Sequence, residues 1–498
     1  MNRETLAGNG SLSRFSVNAF GKRVVRDRRL TRLGHAGLTI GFYYSFLNYV
    51  TATMVFEIIA GRSSKDKAKY GLTGTIFLGK NYVQFDTTVS LANPIHLDVS
   101  GPHVILVSGK RGSGKSYTLG VIAEGMVDLP EEIAKNLSIL IFDTMGIFWT
   151  MKYPNYRDDA LLADWGLKPK GLAPVIFVPF GLFETYQDRG VPADVSFALK
   201  PSEISAESWC EMFELDLISG EGTLVERALD AATLEYGEFD IDEIVEFVKK
   251  DKRASDKEKN VVENRFSAAQ KWGLFRKEGT DITDLFKGGT ATILDLSAYA
   301  EVEGGERIKA LVIGLISKKI LQQRMTARKS EEIKLISEGG FLFGSEAAVA
   351  EEKSPMVWMF IDEAHEFLPR ETDKPTLASG PLIQLLREGR QPGISLVLAT
   401  QQPGKIHTDV MTQADVVISH RLTAKIDIDS LNLIAATYLP YALQKYIDEL
   451  PADKGTAILI DDKLEKIYPM RVRPRYSWHG GEDPSAISGE LRAFGLTI

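Results

Sequence analysis

Cysteine is nearly missing from this chain: Cys210 is the single thiol in 498 residues. One cysteine cannot close an internal disulfide or build a cysteine-based metal site, which fits a reducing, cytoplasmic setting. Compositional bias is missing too. With 44% hydrophobic and 25% charged residues, 43 Gly and 20 Pro, disorder-dominated, collagen-like and low-complexity classes are excluded. At about 100–200 residues per domain, two to four folded units are expected. Nor is there an excess of positive charge: the formal net charge is -8, so nucleic-acid contact has to be local. The opening residues lack the basic region, apolar run and small-residue cleavage site of a secretory leader.

The charge that is present is unevenly spread. Residues 1–35 carry eight Lys/Arg against Glu4 and Asp27, a net of +6, whereas residues 201–250 carry fourteen acids against Arg227, Lys249 and Lys250, a net of -11. The basic arm suits a nucleic-acid or lipid-headgroup patch, or a partner-bound terminus. The acidic stretch suits helices with a solvated face. Gly37 to Phe56 is free of charge and long enough to cross a bilayer. Its Asn48 and its β-branched and aromatic residues favour two buried strands of a small barrel instead, which makes a membrane partner the weaker expectation.

Beyond residue 95, short apolar β-branched runs alternate with helical stretches, the pattern of a mostly parallel sheet flanked by helices. The expected strands are 103–108, 138–143, 174–179, 291–296, 357–362, 394–400, 415–420 and 456–461. The fold class is α/β. Residues 1–95 are expected as a β-rich, barrel-like domain with its basic arm, 96–199 and 286–470 as the core, 200–285 as a helical insertion, and 471–498 as a tail. Thr326 to Ser354 mixes charge, Gly and Ala and is expected as a surface loop.

Gly109-Lys110-Arg111-Gly112-Ser113-Gly114-Lys115-Ser116 fits the phosphate-loop pattern in full, directly after the strand VILVS and before a helical run opening at Tyr117. Such a loop turns successive backbone N–H groups toward phosphate oxygens, and the following helix adds the positive end of its dipole. Lys115 is expected on the β- and γ-phosphates and the Ser116 hydroxyl on Mg²⁺, with ATP as the nucleotide. A dinucleotide site competes poorly, because the loop lacks G-x-G-x-x-G and commits a lysine to phosphate.

A second acidic strand end completes the chemistry. MVWMFI runs into Asp362 and Glu363. Asp362 is expected on the metal side and Glu363 as the base that polarises attacking water. Ala364-His365-Glu366 extends the pair to the letters DEAH, but the other motifs of that helicase class are missing and His365 reads as a helix residue. Gln401, at the tip of the strand ISLVLAT, is the γ-phosphate sensor candidate. Arg387 and Arg390, on the preceding LLREGRQPG segment, are either surface ion-pair residues or guanidinium groups that reach a neighbouring subunit's nucleotide.

The series GKRGSGKS, FIDEAHEFLP, LLREGRQPGISLVLATQQP and ADVVISHRL resembles the HerA branch of the HerA/FtsK superfamily of ring-forming DNA-translocating ATPases, over roughly residues 70–475. Asp143, in IFDTMGIFW, sits where that family often carries another acidic strand end. The resemblance implies a RecA-like P-loop core, a homo-hexamer with double-stranded DNA in a central channel, and Arg390 as the finger acting in trans. It also implies a nuclease or other effector protein as partner, in DNA end processing or anti-phage defence. A membrane-linked DNA pump and an ATP-controlled scaffold are the alternative roles.

Overall fold

The computed structural model describes residues 56–85, 88–338, 354–435, 443–448, 450–451 and 453–481. The basic arm, all but the last residue of the charge-free run and the end of the expected tail lie outside them. Among the described residues, no helix is long and apolar enough to cross a membrane.

The strands are β1 (Ile58–Ala60), β2 (Thr75–Phe85), β3 (Thr88–Asp98), β4 (Val104–Ser108), β5 (Leu137–Asp143), β6 (Val175–Pro179), β7 (Val195–Phe197), β8 (Ala291–Asp295), β9 (Met356–Ile361), β10 (Ile394–Thr400), β11 (Val416–His420), β12 (Thr456–Asp461) and β13 (Lys466–Val472). They form one sheet in the order β1-β3-β2-β13-β12-β11-β4-β10-β9-β5-β8-β6-β7. From β11 to β7 every pairing is parallel. All eight runs read as strands from the sequence are strands, because each is apolar on both faces. In β9, Val357, Met359 and Ile361 enter one core while Trp358 and Phe360 enter the other. In β10, Leu396 and Leu398 alternate with Val397 and Ala399 in the same way, as the two-residue period of a strand requires.

Two segments belong to the core sheet although they were expected outside it. β2 pairs antiparallel with β13, Met470 opposite Asn81 and Val472 opposite Gly79. The described part of residues 1–95 therefore extends the sheet. Gly79 permits the approach, because a Cβ there would lie 2.2 Å from the Arg471 carbonyl oxygen. Residues 471–481 are not a free tail: β13 ends at Val472 and a strap runs on over the helix that follows the phosphate loop, α1 (Lys115–Val127).

Between β7 and β8 lie four helices, α2 (Ala206–Phe213), α3 (Gly220–Tyr236), α4 (Ile241–Lys250) and α5 (Asp256–Gln270). They close around Trp209, whose ring centroid lies 5.3 Å from Phe213, 5.1 Å from Phe266 and 5.0 Å from Phe275. Asp240 with Glu243 and Ser255 with Glu258 form capping boxes that start α4 and α5. The next helix, α6, spans Gly305–Glu338, so residues 326–338 are helix rather than the expected loop. Charge pairs at helical spacing sustain it: Arg328 reaches Glu331 at 3.2 Å and Glu332 at 3.4 Å. Residues 339–353 of that interruption lie outside the described residues.

The strap is held by an ion cluster at its centre. Glu124 of α1 is fully buried and accepts from Arg473 Nη1 at 2.9 Å, Arg475 Nε at 2.9 Å, the Ser477 hydroxyl at 2.5 Å and the Ser477 amide at 3.2 Å. Removing the carboxylate leaves two buried guanidinium groups without their counter-charge. Glu124→Ala is expected to lose about 3–5 kcal/mol of stability, measured by denaturant unfolding, with Glu124→Gln losing less.

A second buried polar group ties β11 to α1 and β12. His420 Nδ1 lies 3.0 Å from the Thr456 carbonyl oxygen, which only accepts, so Nδ1 carries the proton and Nε2 accepts from the Thr118 hydroxyl at 2.8 Å. Burial pushes its pKa down to about 4. The unfolded chain takes up this proton near pH 6.5 and the folded chain does not, so stability is complete above that pH and lost as pH falls toward 4. The loss amounts to roughly 3 kcal/mol. Unfolding followed from pH 7.5 to 4.5 should show a flatter pH dependence in His420→Gln than in the native chain.

Candidate nucleotide site

The phosphate loop occupies the turn between β4 and α1, where the carboxyl ends of three parallel strands converge. Gly109 N–H donates to the Thr400 carbonyl of β10 at 3.3 Å and Lys110 N–H to the Arg421 carbonyl just beyond β11 at 3.2 Å. These bonds fix the loop to its neighbours on both sides. Gly114 has φ 108°, a conformation that favours glycine. At Gly109 a Cβ would lie 2.4 Å from Ser113 Oγ and 2.7 Å from His420 Cβ, so the loop packs on His420 only without a side chain there.

Lys115 is buried and its Nζ donates to the Lys110 carbonyl at 3.5 Å. Burial pushes its pKa down, and the nearby Glu363 and Asp362 act against that. Ser116 Oγ donates to Asp362 Oδ2 at 2.5 Å, and Asp362 Oδ1 accepts from the Glu363 amide at 2.9 Å. Glu363 stands in the left-handed region at φ 51°, a costly setting for a side-chain-bearing residue. It turns the carboxyl toward the loop end. Gln401 Nε2 donates to Glu363 Oε1, while Glu363 Oε2 is buried without a hydrogen-bond partner among the described residues. Burial pushes this carboxyl above the usual carboxylate range, against the Gln401 bond. His365 Nδ1 lies 3.3 Å from the Thr400 hydroxyl and 3.6 Å from Glu363 Oε2, and burial pushes its pKa down.

Five of the residues expected to act together are therefore together: Lys115, Ser116, Asp362, Glu363 and Gln401. Lys110 and Arg111 are exposed on the loop, and the Tyr117 hydroxyl accepts from the Arg475 amide at 2.6 Å. Arg387 and Arg390 stand elsewhere. They precede β10, at the end opposite Thr400, and seven residues of strand span roughly 20 Å. Arg387 pairs with Asp409 at 2.7 Å. The Arg390 side chain is exposed and, among the described residues, makes no hydrogen bond or ion pair.

Two acidic strand ends flank the site. Asp143 and Asp295 are in register at the ends of β5 and β8. Burial and the Asp295 charge raise the Asp143 carboxyl to about 7, against its bonds from the Gly146 and Phe148 amides at 2.7 and 2.8 Å. Asp295 was missed in the sequence, although ATILD repeats the signal that marked Asp143 and Asp362, an apolar run closed by one acid.

A family model described as "Helicase HerA, central domain" matches residues 92–320, and one described as "Zonular occludens toxin (Zot)" matches residues 287–438. The chain is 30% identical over 223 residues to a probable DNA double-strand break repair helicase HerA of Methanocaldococcus jannaschii, covering 42% of this chain but 40% of that relative. It is 24% identical over 408 residues to a DNA double-strand break repair helicase HerA of Sulfolobus acidocaldarius, covering 80% of this chain and 70% of the relative. Among solved structures, it is similar to VirB4 of Thermoanaerobacter pseudethanolicus (TM-score 0.48, 14% identity, 80% of this chain and 96% of that one). It is also similar to the conjugative coupling protein TrwB (TM-score 0.43, 11% identity, 85% and 98%). The phosphate loop and its acidic partner strand thus lie in a chain that is similar, over residues 92–320, to the central domain of helicase HerA and, over 408 residues, to a HerA helicase at 24% identity.

Proposed function

We propose that this chain hydrolyses ATP to move double-stranded DNA, as a homo-hexamer working with a nuclease or other effector in DNA end processing or anti-phage defence. The observation that carries the hydrolytic part is the convergence of Lys115, Ser116, Asp362, Glu363 and Gln401 on one loop. The DNA, the ring and the effector rest on the resemblance to HerA.

In this reading the loop amides and Lys115 hold the β- and γ-phosphates. Ser116 Oγ and Asp362 Oδ2, two hard oxygen donors already directed at each other, fit Mg²⁺ and its water. When bound, that ion supplies charge neutralisation on the transferring phosphoryl group. The free Glu363 Oε2 takes the proton of the attacking water. Gln401 fixes the other carboxyl oxygen and so sets the direction of Oε2. A carboxyl raised above its ordinary range by burial is the better base, because its basicity lies nearer the working pH.

Arg390 is placed at the far end of β10, and the backbone there is fixed from behind: buried Arg324 of α6 donates to the Pro392 carbonyl at 2.8 Å. An exposed, unpaired arginine on a fixed loop suits the nucleotide of an adjacent subunit, where such a group contributes about 10³–10⁵ in rate. DNA phosphates would meet a few cations per subunit, multiplied around the ring, so an overall acidic chain still grips DNA.

Glu363→Gln should retain nucleotide binding and lose about 10²–10⁴ of the DNA-stimulated hydrolysis rate, read by phosphate release. A hydrolysis rate indifferent to double-stranded DNA at every salt concentration overturns the translocase reading. Arg390→Ala should be inactive alone, yet recover part of its rate when mixed with Glu363→Gln, because some mixed interfaces hold both intact residues. An active Arg390→Ala chain, or no recovery on mixing, removes Arg390 from the trans role.

A further inference from the structure

The nucleotide reading leaves one cluster beside the loop unexplained. Glu363, Gln401 and Asp362 fix where the γ-phosphate end lies. On the β11 side the loop is closed by its backbone bonds and by His420 beneath Gly109 and Gly114. The nucleoside end therefore leaves the loop along the first turn of α1, past Tyr117. The strap carries two rings here, His479 against Tyr117 and Trp478 against Arg157. His479 meets Tyr117 edge to face, centroids 5.2 Å apart at 81°. Trp478 precedes it, with the Arg157 guanidinium 4.7 Å from its ring centroid. All three rings are half-buried.

These positions are fixed before any ligand arrives. Trp478 N–H donates to the Tyr153 carbonyl at 2.7 Å and its carbonyl accepts from the Thr150 hydroxyl at 3.1 Å. Arg475 Nη1 lies 3.3 Å from His479 Nδ1. A guanidinium only donates, so Nδ1 accepts and the ring proton sits on Nε2. Burial, with Arg475 and Arg157 nearby, keeps His479 uncharged, its pKa pushed down to about 3. Fastening the strap to α1 requires the buried Arg473, Arg475, Tyr476 and Ser477. It does not require three partly open rings at the strap's tip.

We propose that Tyr117 and His479 form the nucleobase subsite of this nucleotide site, stacking a purine and offering it the His479 Nε2–H as a donor to a ring nitrogen. The subsite rests on the nucleotide reading above. Aromatic rings fixed on a braced strap suit a flat heterocycle, because little ordering remains to be done on binding.

The test compares ATP with inorganic tripolyphosphate, which has the phosphates and no base, on the full chain by calorimetry. His479→Gln retains an acceptor for Arg475 and removes the ring; His479→Phe keeps a ring. His479→Gln should weaken ATP roughly tenfold, leave tripolyphosphate unchanged and narrow the difference between ATP and UTP, whereas His479→Phe should retain most of the ATP affinity. Unchanged ATP affinity in His479→Gln overturns the subsite. So does an equal loss for ATP and tripolyphosphate, or a loss in His479→Phe as large as in His479→Gln. Lys115→Ala separates the two readings: if it binds tripolyphosphate as well as the native chain, the phosphate-loop assignment itself fails, whatever His479 does.

Discussion

A parallel strand buried on both faces meets solvent only at its ends, and this constraint places the chemistry of the protein. β4, β9 and β10 are lined on each face by Val, Ile, Leu, Met and Phe. The polar side chains among them are few and buried, such as Ser395, whose hydroxyl accepts from the His103 amide at 3.0 Å. Their carboxyl ends are the first positions where polar atoms can accumulate, and there stand the phosphate loop, Asp362 and Gln401. The same edge carries Asp143 and Asp295 at the ends of β5 and β8. Five strands thus deliver five functional or titratable tips to one rim, as open α/β sheets commonly do.

The loops at both ends of the sheet are braced from outside it by buried arginines, one cluster beside the rim and one at the opposite strand ends. Arg473 and Arg475 meet Glu124 of α1, and their strap holds the helix that carries Lys115 and Ser116. Arg324 of α6 holds the Pro392 carbonyl and the Ser354 carbonyl, which fixes the entries of β10 and β9. Each arginine satisfies several backbone or carboxylate acceptors at once, which a lysine's single ammonium could not match in a planar arrangement. Buried charges of this kind bring little net stability, but removing a partner is costly, so each cluster fixes one arrangement of its loop.

The sheet and the five converging residues were legible in the sequence because their signals are local. An apolar β-branched run of five to seven residues ended by Asp or Ser announces a buried parallel strand without reference to any other part of the chain. The phosphate loop is likewise complete within eight residues. Contacts made at long range were not legible. Glu124 and Arg475 are 351 positions apart, and neither stands out in its own surroundings. The strap therefore passed for a tail. β2 and β3 passed for a separate barrel because their alternation says that they pair, not that β13 is among their partners. Residues 326–338 passed for loop because their charges weaken the apolar period, whereas the pairs from Arg328 to Glu331 and Glu332 require only helical spacing.

The position of Arg390 follows from strand geometry rather than from any motif. An arginine that serves its own nucleotide has to follow a parallel strand or precede a helix at the carboxyl rim. Arg390 instead follows α7 (Ser379–Glu388) and enters β10, so the whole length of the strand separates it from Lys115. Among the described residues its side chain makes no ion pair, although Arg387 three residues earlier finds Asp409. A guanidinium held away from its own site and without a partner is suited to complete a site on another copy. In the trans arrangement proposed for Arg390, one chain would supply the loop and both carboxylates of a site and its neighbour would supply the guanidinium. Under that proposal hydrolysis belongs to an interface between copies, and assembly around a substrate sets the rate.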